Sequence, residues 1–268
     1  MAEDCLQYIF RERAEAVRAA KARNDRQSLE SRAVARVHHD FRRSLMDGVG
    51  PRIIAECKHA SPSAGILVED YRPADIARGY VTAGAAAVSV LTEPLHFLGS
   101  ADDLMAVRRA VDCPVLCKDF LCDAYQVLEA AAWGADVVLI ILAAVDEALG
   151  QDLYRAARER GLDVLVEAHT AAEVERALAW KDAVVGVNSR DLKTLVTNLS
   201  VALELAPKIP AGRLAVAESG IRTADDIRRL MDAGYRGFLI GESFLRRVDP
   251  GSALHGLIHA VRGAEAHR

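Results

Sequence analysis

The sequence predicts an α/β protein, a closed (β/α)8 (TIM) barrel with an N-terminal helical extension, and three observations predict it. Eight short apolar runs recur from residue 51 onward, and amphipathic stretches with apolar residues at helical spacing separate them. A strict βα alternation implies a parallel sheet, and eight units favour a closed barrel over an open, doubly wound one. No Gly-x-Gly-x-x-Gly follows the first strand, so the dinucleotide-binding form of the open sheet lacks its fingerprint. A chain of 268 residues fits one such barrel.

Taken in order, residues 3–23 carry Leu6, Ile9, Phe10, Ala14 and Val17 at helical spacing, and residues 31–46 repeat the pattern with Val34, Val37, Phe41 and Leu45. Both precede the first strand, so residues 1–48 read as an extension packed on a single barrel domain that spans residues 1–268. The strand candidates are 51–58, 86–92, 114–119, 136–142, 163–168, 184–189, 214–218 and 236–241. Helices are expected over 73–83, 101–111, 123–133, 146–160, 171–180, 199–206, 223–233 and 252–263. Thr223-Ala-Asp-Asp reads as an N-cap, and Gly84, Gly134, Gly161 and Gly234 stand where helices stop.

Composition narrows the function classes. Hydrophobic residues make up 51% and charged residues 27%, enough apolar surface for a core. A net charge of -4 with no aromatic-interleaved basic run gives no footing for nucleic acid or an anionic membrane. The longest apolar run, Val137 to Val145, is far too short to span a bilayer. The five cysteines are odd in number, and Cys113, Cys117 and Cys122 lack zinc-knuckle spacing, so reduced, buried thiols are expected. With no signal-peptide pattern at the N-terminus, the expected location is the cytoplasm. The amphipathic outer helices are compatible with a monomer.

In such a barrel the site forms at the C-terminal ends of the strands. The first strand ends in Glu56, Cys57 and Lys58; alternation sends Glu56 and Lys58 to one face and Cys57 to the other. Two opposite charges there are either a salt bridge plugging the barrel or the wall of a cleft that the Ser61-Pro-Ser-Ala-Gly65 loop covers. The third strand ends in Lys118-Asp119-Phe120, the fifth in Glu167-Ala-His169, the sixth in Asn188-Ser-Arg190-Asp191, and the seventh in Glu218. Two lysines, three glutamates and an asparagine converging on one mouth exceed what a structural pair requires. Burial and proximity would spread their pKa values and supply both an acid and a base near neutral pH.

The seventh and eighth strands end in Ser219-Gly220 and Gly241-Glu242-Ser243. Small residues let backbone N–H groups approach an anion, and a helical turn is expected after each, at the phosphate position of these barrels. The glycines would equally serve tight βα turns. His59, His96 and His169 form no convincing metal triad, and a surface or loop role is expected of each.

With these motifs assembled, the chain resembles the indole-3-glycerol phosphate synthase family. The resemblance rests on Ala55-Glu-Cys-Lys-His-Ala-Ser-Pro-Ser-Ala-Gly65, Leu91-Thr-Glu93, Leu116-Cys-Lys-Asp-Phe120, Leu165-Val-Glu-Ala-His169, Asn188-Ser-Arg-Asp-Leu192, Ala217-Glu-Ser-Gly-Ile221 and Gly241-Glu-Ser-Phe-Leu245, in family order. It implies a lyase that closes, decarboxylates and dehydrates 1-(2-carboxyphenylamino)-1-deoxyribulose 5-phosphate, a phosphorylated small molecule, with no metal or organic cofactor. Carried over residue by residue, it implies Lys118 as the acid at ring closure, Glu167 as base, and Glu56 as the carboxylate beside the lysine. Lys58 falls near the substrate carboxylate, with its share of the dehydration acid role left open. Asn188, Arg190 and Glu218 would position the ring amine, hydroxyls and phosphate-bearing chain, and Phe120 would flank the aromatic ring. Ser61, Ser219, Gly220, Gly241, Glu242 and Ser243 fall on the loop and phosphate contacts.

Three positions depart from the family pattern. His59 stands for Arg, Ser189 for a frequent Asn, and His96-Phe97-Leu98-Gly99 for Phe-Phe-Gly-Gly; altered loop packing is expected from these. Two rivals compete with the synthase reading. A phosphoribosylanthranilate isomerase would want a Cys base at the end of the first strand and an Asp acid near the sixth, which directs attention to Cys57 and Asp191. A non-catalytic, sugar-phosphate-binding barrel would not need every acid and base retained.

Overall fold

The computed structural model describes residues 5–35 and 37–265. Eight parallel strands close into a barrel: β1 (Arg52–Cys57), β2 (Ala87–Leu91), β3 (Val115–Lys118), β4 (Val137–Ile141), β5 (Asp163–Ala168), β6 (Val184–Asn188), β7 (Ala215–Glu218) and β8 (Gly237–Ile240). Each pairs with its neighbours in sequence, and β8 returns to β1, so that Ile54 lies between Leu239 and Ala87. All eight fall inside the expected ranges.

Strand alternation splits the core in two. Ile53, Ala55, Val88, Val90, Val164 and Val166 face outward and are buried under the helical ring. Ile54, Leu116, Leu139, Leu165, Val184 and Leu239 fill the lumen. Burial on both faces explains why the strands read as continuous apolar runs. The ring consists of α4 (Pro73–Thr82), α5 (Ala101–Ala110), α6 (Ala124–Trp133), α7 (Glu147–Glu159), α8 (Ala171–Leu178), α9 (Ser200–Leu205), α10 (Ala224–Asp232) and α12 (Pro250–Glu265), with a four-residue α11 (Glu242–Leu245) after β8. Thr223 caps α10 in a capping box with Asp226, and Gly134, at φ 94°, closes α6 in the left-handed conformation that favours glycine.

The extension differs from expectation. The helix expected over 31–46 is two helices, α2 (Arg26–Val34) and α3 (Phe41–Met46), with position 36 outside the described residues, as are positions 3 and 4 of the first expected helix. Asp25 and Asp40 cap them by accepting from the backbone N–H groups of Gln27 and Arg43. Between them the backbone is drawn onto the barrel floor: the His39 N–H donates to Asp136 (2.7 Å) and the Phe41 N–H to Asp163 (3.0 Å). Val34 and Val37, which made the helical pattern look continuous, are 86% and 74% exposed, whereas Phe41 and Leu45 are wholly buried in the lumen core. Thus α3 plugs the bottom of the barrel.

The first helix, α1 (Cys5–Arg23), lies at the opposite end, where Leu6 and Ile9 join the lumen core. The loop after β1, expected to cover a cleft, carries a small hairpin, Ala60–Ser61 against Gly65–Ile66. Among the described residues no helix is long and apolar enough to cross a membrane.

Candidate active site

Alternation along β1 sends Glu56 and Lys58 into the lumen mouth, where they meet Lys118 from β3, Glu167 from β5 and Asn188 from β6 around a cavity of about 800 Å³; Glu218 from β7 is wholly buried and reaches Lys118 without lining that cavity. The Lys118 Nζ is the hub. It donates to Glu218 Oε2 at 3.0 Å and lies 3.7 Å from Glu56 Oε2 and 4.0 Å from Glu167 Oε2. Lys58 Nζ donates to the other Glu56 oxygen. Two glycines make the crowding feasible: a Cβ on Gly186 would collide with the Glu218 carboxylate, and one on Gly241 with that of Glu56.

Charge is distributed unevenly over this cluster. Burial alone would lower the Lys118 pKa, but Glu218, Glu56 and Glu167 outweigh it and hold the ammonium well above the ordinary lysine value. Burial would likewise raise Glu56, yet Lys58 and Lys118 keep it below the usual carboxylate range. Glu218 goes the other way: burial, with Glu167 adding to it, pushes it up to about 7 despite Lys118. The site therefore holds a firmly protonated amine, a firmly ionised carboxylate and a third group poised near neutrality, which suits acid–base chemistry.

The remaining walls sort by chemistry. Phe97 and Phe120, with ring centroids 5.9 Å apart, form an aromatic side under α1. Arg190 spans three loops, donating to Ser63 Oγ (3.0 Å), to the Leu195 carbonyl (3.5 Å) and to Glu242 Oε2 (3.4 Å), and its own N–H is held by Asn188 Oδ1 (2.9 Å). The Glu242 carboxylate is thus shared between Arg190 and Arg246 (2.9 Å). Ser61 does not line the main cavity but an adjoining one of about 80 Å³, with Cys5, Leu6 and Ile9 of α1.

At the far end lie Ser219, Gly220, Gly241 and Ser243. Ser219 (φ 64°) and Gly220 (φ 79°) are both left-handed, which turns this stretch sharply past the cavity; a Cβ on Gly220 would lie 2.8 Å from Thr197 Cγ2. The expected pair of helical turns is only half present. α11 starts directly after Gly241, whereas α10 begins at Ala224, because Thr223 is its N-cap. The first-turn N–H groups of α11, at Glu242 and Ser243, have no acceptor within the helix.

Sequence reasoning missed four contributors. Phe97 was noticed only as part of a departure from pattern. Thr197 lines the cavity from a loop with no distinguishing motif. Arg13 of α1 grips Asp119 through two bonds, Nε to Oδ1 (2.8 Å) and Nη2 to Oδ2 (2.7 Å), and Asp119 also receives Thr92 Oγ1 and the Phe120 N–H. The signal for it was there: a charged residue next to Lys118, facing away from the lumen, needs a partner. His169 is the fourth: it stands in the loop after β5, one of the two places expected of it, but it is not a surface residue. Its side chain is 13% exposed and lies between Glu167 and Glu173. His59 instead stacks on Tyr71 at 5.0 Å, and His96 Nε2 meets Glu12 at 2.8 Å.

The isomerase geometry is not met. Cys57 lies outside the lumen with its Sγ 3.8 Å from the Pro73 carbonyl, and burial raises its thiol pKa far above normal. The Asp191 carboxylate accepts from the backbone N–H groups of Lys193 and Thr194 in its own loop.

Fold and site define a (β/α)8 barrel with an acid–base cluster at its C-terminal mouth. A family model described as indole-3-glycerol phosphate synthase matches residues 6–257. Among curated relatives, the indole-3-glycerol phosphate synthase of Laribacter hongkongensis is 46% identical over 262 residues, covering 94% of this chain and 97% of the relative. That of Rhodospirillum rubrum is 50% identical over 213 residues, covering 79% and 81%. The chain belongs to the indole-3-glycerol phosphate synthase family. Solved structures share the fold at lower identity: a tryptophan synthase α-subunit from Pyrococcus furiosus superposes with a TM-score of 0.57 at 11% identity, covering 80% of this chain and 98% of that one. Thiamine phosphate pyrophosphorylase from the same organism gives 0.60 at 15% identity, covering 84% and 98%.

Proposed function

We propose that Lys118 and Glu167 divide the acid and base work of indole ring closure between them. The enzyme converts 1-(2-carboxyphenylamino)-1-deoxyribulose 5-phosphate to indole-3-glycerol phosphate, carbon dioxide and water. The aromatic carbon bearing the carboxylate attacks the carbonyl carbon of the sugar chain, and the oxygen becomes an alkoxide. Lys118 delivers its proton there; an ammonium held above the ordinary lysine value is a weak acid toward a ketone, yet gives its proton readily to an alkoxide. Loss of carbon dioxide restores the aromatic ring. Dehydration then needs a proton on the departing hydroxyl and a base for the proton on the neighbouring carbon, which is assigned to Glu167.

The other roles follow position. Glu56, paired with Lys58 and 3.7 Å from Lys118 Nζ, orients the acid and shares its proton. Lys58 pairs with the substrate carboxylate. Asn188 holds the ring amine and hydroxyls, Glu218 acts on their position through Lys118, and Arg190 holds the phosphate-bearing chain. Phe120 flanks the anthranilate ring, and the backbone at Ser219, Gly220, Gly241, Glu242 and Ser243 takes the phosphate. Ser61 belongs to the cover over the ring. No step requires a metal or organic cofactor. The barrel and its extension act as one unit in the cytoplasm, with outer helices compatible with a monomer.

The single observation carrying this reading is Lys118 Nζ within 4.0 Å of carboxylates from three different strands. The direct test is a fluorescence assay of indole formation from the carboxyphenylamino-deoxyribulose phosphate in buffer containing EDTA. Sustained turnover is expected; bound substrate with no indole would leave only a binding barrel.

A further inference from the structure

Proton stoichiometry sets a requirement that the cavity-lining residues do not meet alone. If the substrate enters as a carboxylate and its carbon leaves as carbon dioxide, each turnover takes up one proton from solvent. A lysine donates twice, once to the alkoxide and once to the departing hydroxyl, whereas the base recovers only one proton from the substrate. Transfer from Glu167 to Lys118, 4.0 Å apart, returns that one. The second must come from outside, with substrate or product still in the cavity.

Glu167 has one oxygen turned to the lysine and one turned away. The far oxygen, Oε1, is buried with no hydrogen bond, and His169 Nε2 lies 3.3 Å from it. The imidazole is not part of the cavity wall. Its Nδ1 lies 3.5 Å from Glu173 Oε2, and the same Glu173 oxygen accepts the His169 backbone N–H at 2.6 Å, anchoring the ring at the start of α8. The chain of groups from the lumen outward is therefore Lys118, Glu167, His169 and Glu173, with Glu173 17% exposed.

We propose that His169 is a positioning residue for Glu167 that also returns the missing proton, entering from the side away from the substrate. The imidazolium passes its Nε2 proton to Glu167 Oε1, leaving a neutral ring that keeps its Nδ1 proton toward Glu173. Glu167 passes a proton from its acid form to the neutral Lys118 amine, restoring carboxylate and ammonium. Both ring nitrogens are buried, so a turn of the ring about Cβ–Cγ presents the emptied nitrogen to the partly exposed Glu173, whose carboxyl passes it one proton from solvent and balances the one consumed. Three carboxylates face the ring, Glu167 on β5, Glu173 on α8 and Glu218 on β7; although burial opposes charge, together they raise the imidazole pKa above its ordinary value, so the ring carries the proton it has to give.

The inference rests on the proposed division of labour, and the experiment separates the two. Wild type, His169→Gln and His169→Ala are assayed for kcat and KM across pH 5.5–9.5, with and without added imidazole. In wild type, kcat should fall at alkaline pH as the ring loses its proton. His169→Gln should lose about tenfold in kcat with KM little changed, and lose that alkaline limb. Imidazole should restore part of the His169→Ala rate, in proportion to its protonated fraction. A variant with wild-type kcat and an unchanged alkaline limb overturns the inference. So does an equal loss at every pH with no imidazole rescue, which marks His169 as merely structural. No turnover by wild type overturns the functional reading itself, and the relay with it.

Discussion

Lys118 has 16% of its side chain exposed, yet it is not isolated, because three carboxylates share its charge. Removing any one of them perturbs the others, and the proposed base is Glu167, which lines the cavity. Glu167→Gln keeps size and hydrogen-bonding shape while abolishing the base, so kcat should fall by at least about a hundredfold with KM within a few-fold, read from steady-state kinetics. A second prediction concerns stability. Leu98 stands where the family pattern has Gly, and its φ of 52° is left-handed. A non-glycine residue there costs about 1–2 kcal/mol, so Leu98→Gly should raise Tm by a few degrees without changing activity. At this scale the sequence was informative wherever alternation decides direction: Glu56 and Lys58 face the lumen, and Cys57 does not. His169 was misjudged because its partners, Glu167 and Glu173, meet it only once the strand end and α8 are folded together.

The eight strands and most helices could be read because each carries its own pattern, apolar runs for the strands and a repeating stripe for the helices. The extension could not, because what breaks it is tertiary. Residues 37–41 lie so that the N–H groups of His39 and Phe41 reach Asp136 and Asp163 at the barrel floor. Local periodicity contains no trace of that demand. The other end of the extension reaches the site: Arg13 of α1 holds Asp119, which in turn holds the Phe120 N–H and lies beside Lys118. Arg13→Met would leave a buried carboxylate unpaired, at a cost of about 3–5 kcal/mol. We expect a Tm lower by on the order of 10 °C, and a raised KM at temperatures where the variant is folded, because the aromatic wall loses its anchor. An unchanged KM in folded Arg13→Met would mean that α1 only caps the barrel. Among the phosphate loops, Ser243 Oγ is directed to the Ile221 carbonyl at 3.4 Å, so Ser243→Ala should alter KM little if the backbone alone meets the phosphate.

At the scale of the molecule, the floor of the barrel is closed by α3, and the cluster of lysines and glutamates stands at the mouth. This puts the electrostatic cost where it is used. Glu218 shows the sign of that cost. Its folded pKa of about 7 is above the ordinary carboxylate value, so the folded state keeps a proton that the unfolded chain has released. Its contribution to stability therefore declines as pH rises from about 4.5 to 7. Glu218→Gln removes this titration, so thermal unfolding of the variant relative to wild type should improve from pH 5 to pH 8, by up to about 3 kcal/mol. A constant offset across that range would show that Glu218 does not titrate there.

The account turns on Lys118 as the acid at ring closure, and Lys118→Met tests it most directly. Methionine fills the space of the lysine stem without a proton to give, and circular dichroism with product binding would establish that fold and site persist. The expected result is a kcat lower by about a thousandfold with product affinity within a few-fold of wild type. A folded Lys118→Met enzyme that still forms indole within tenfold of the wild-type rate would contradict the assignment.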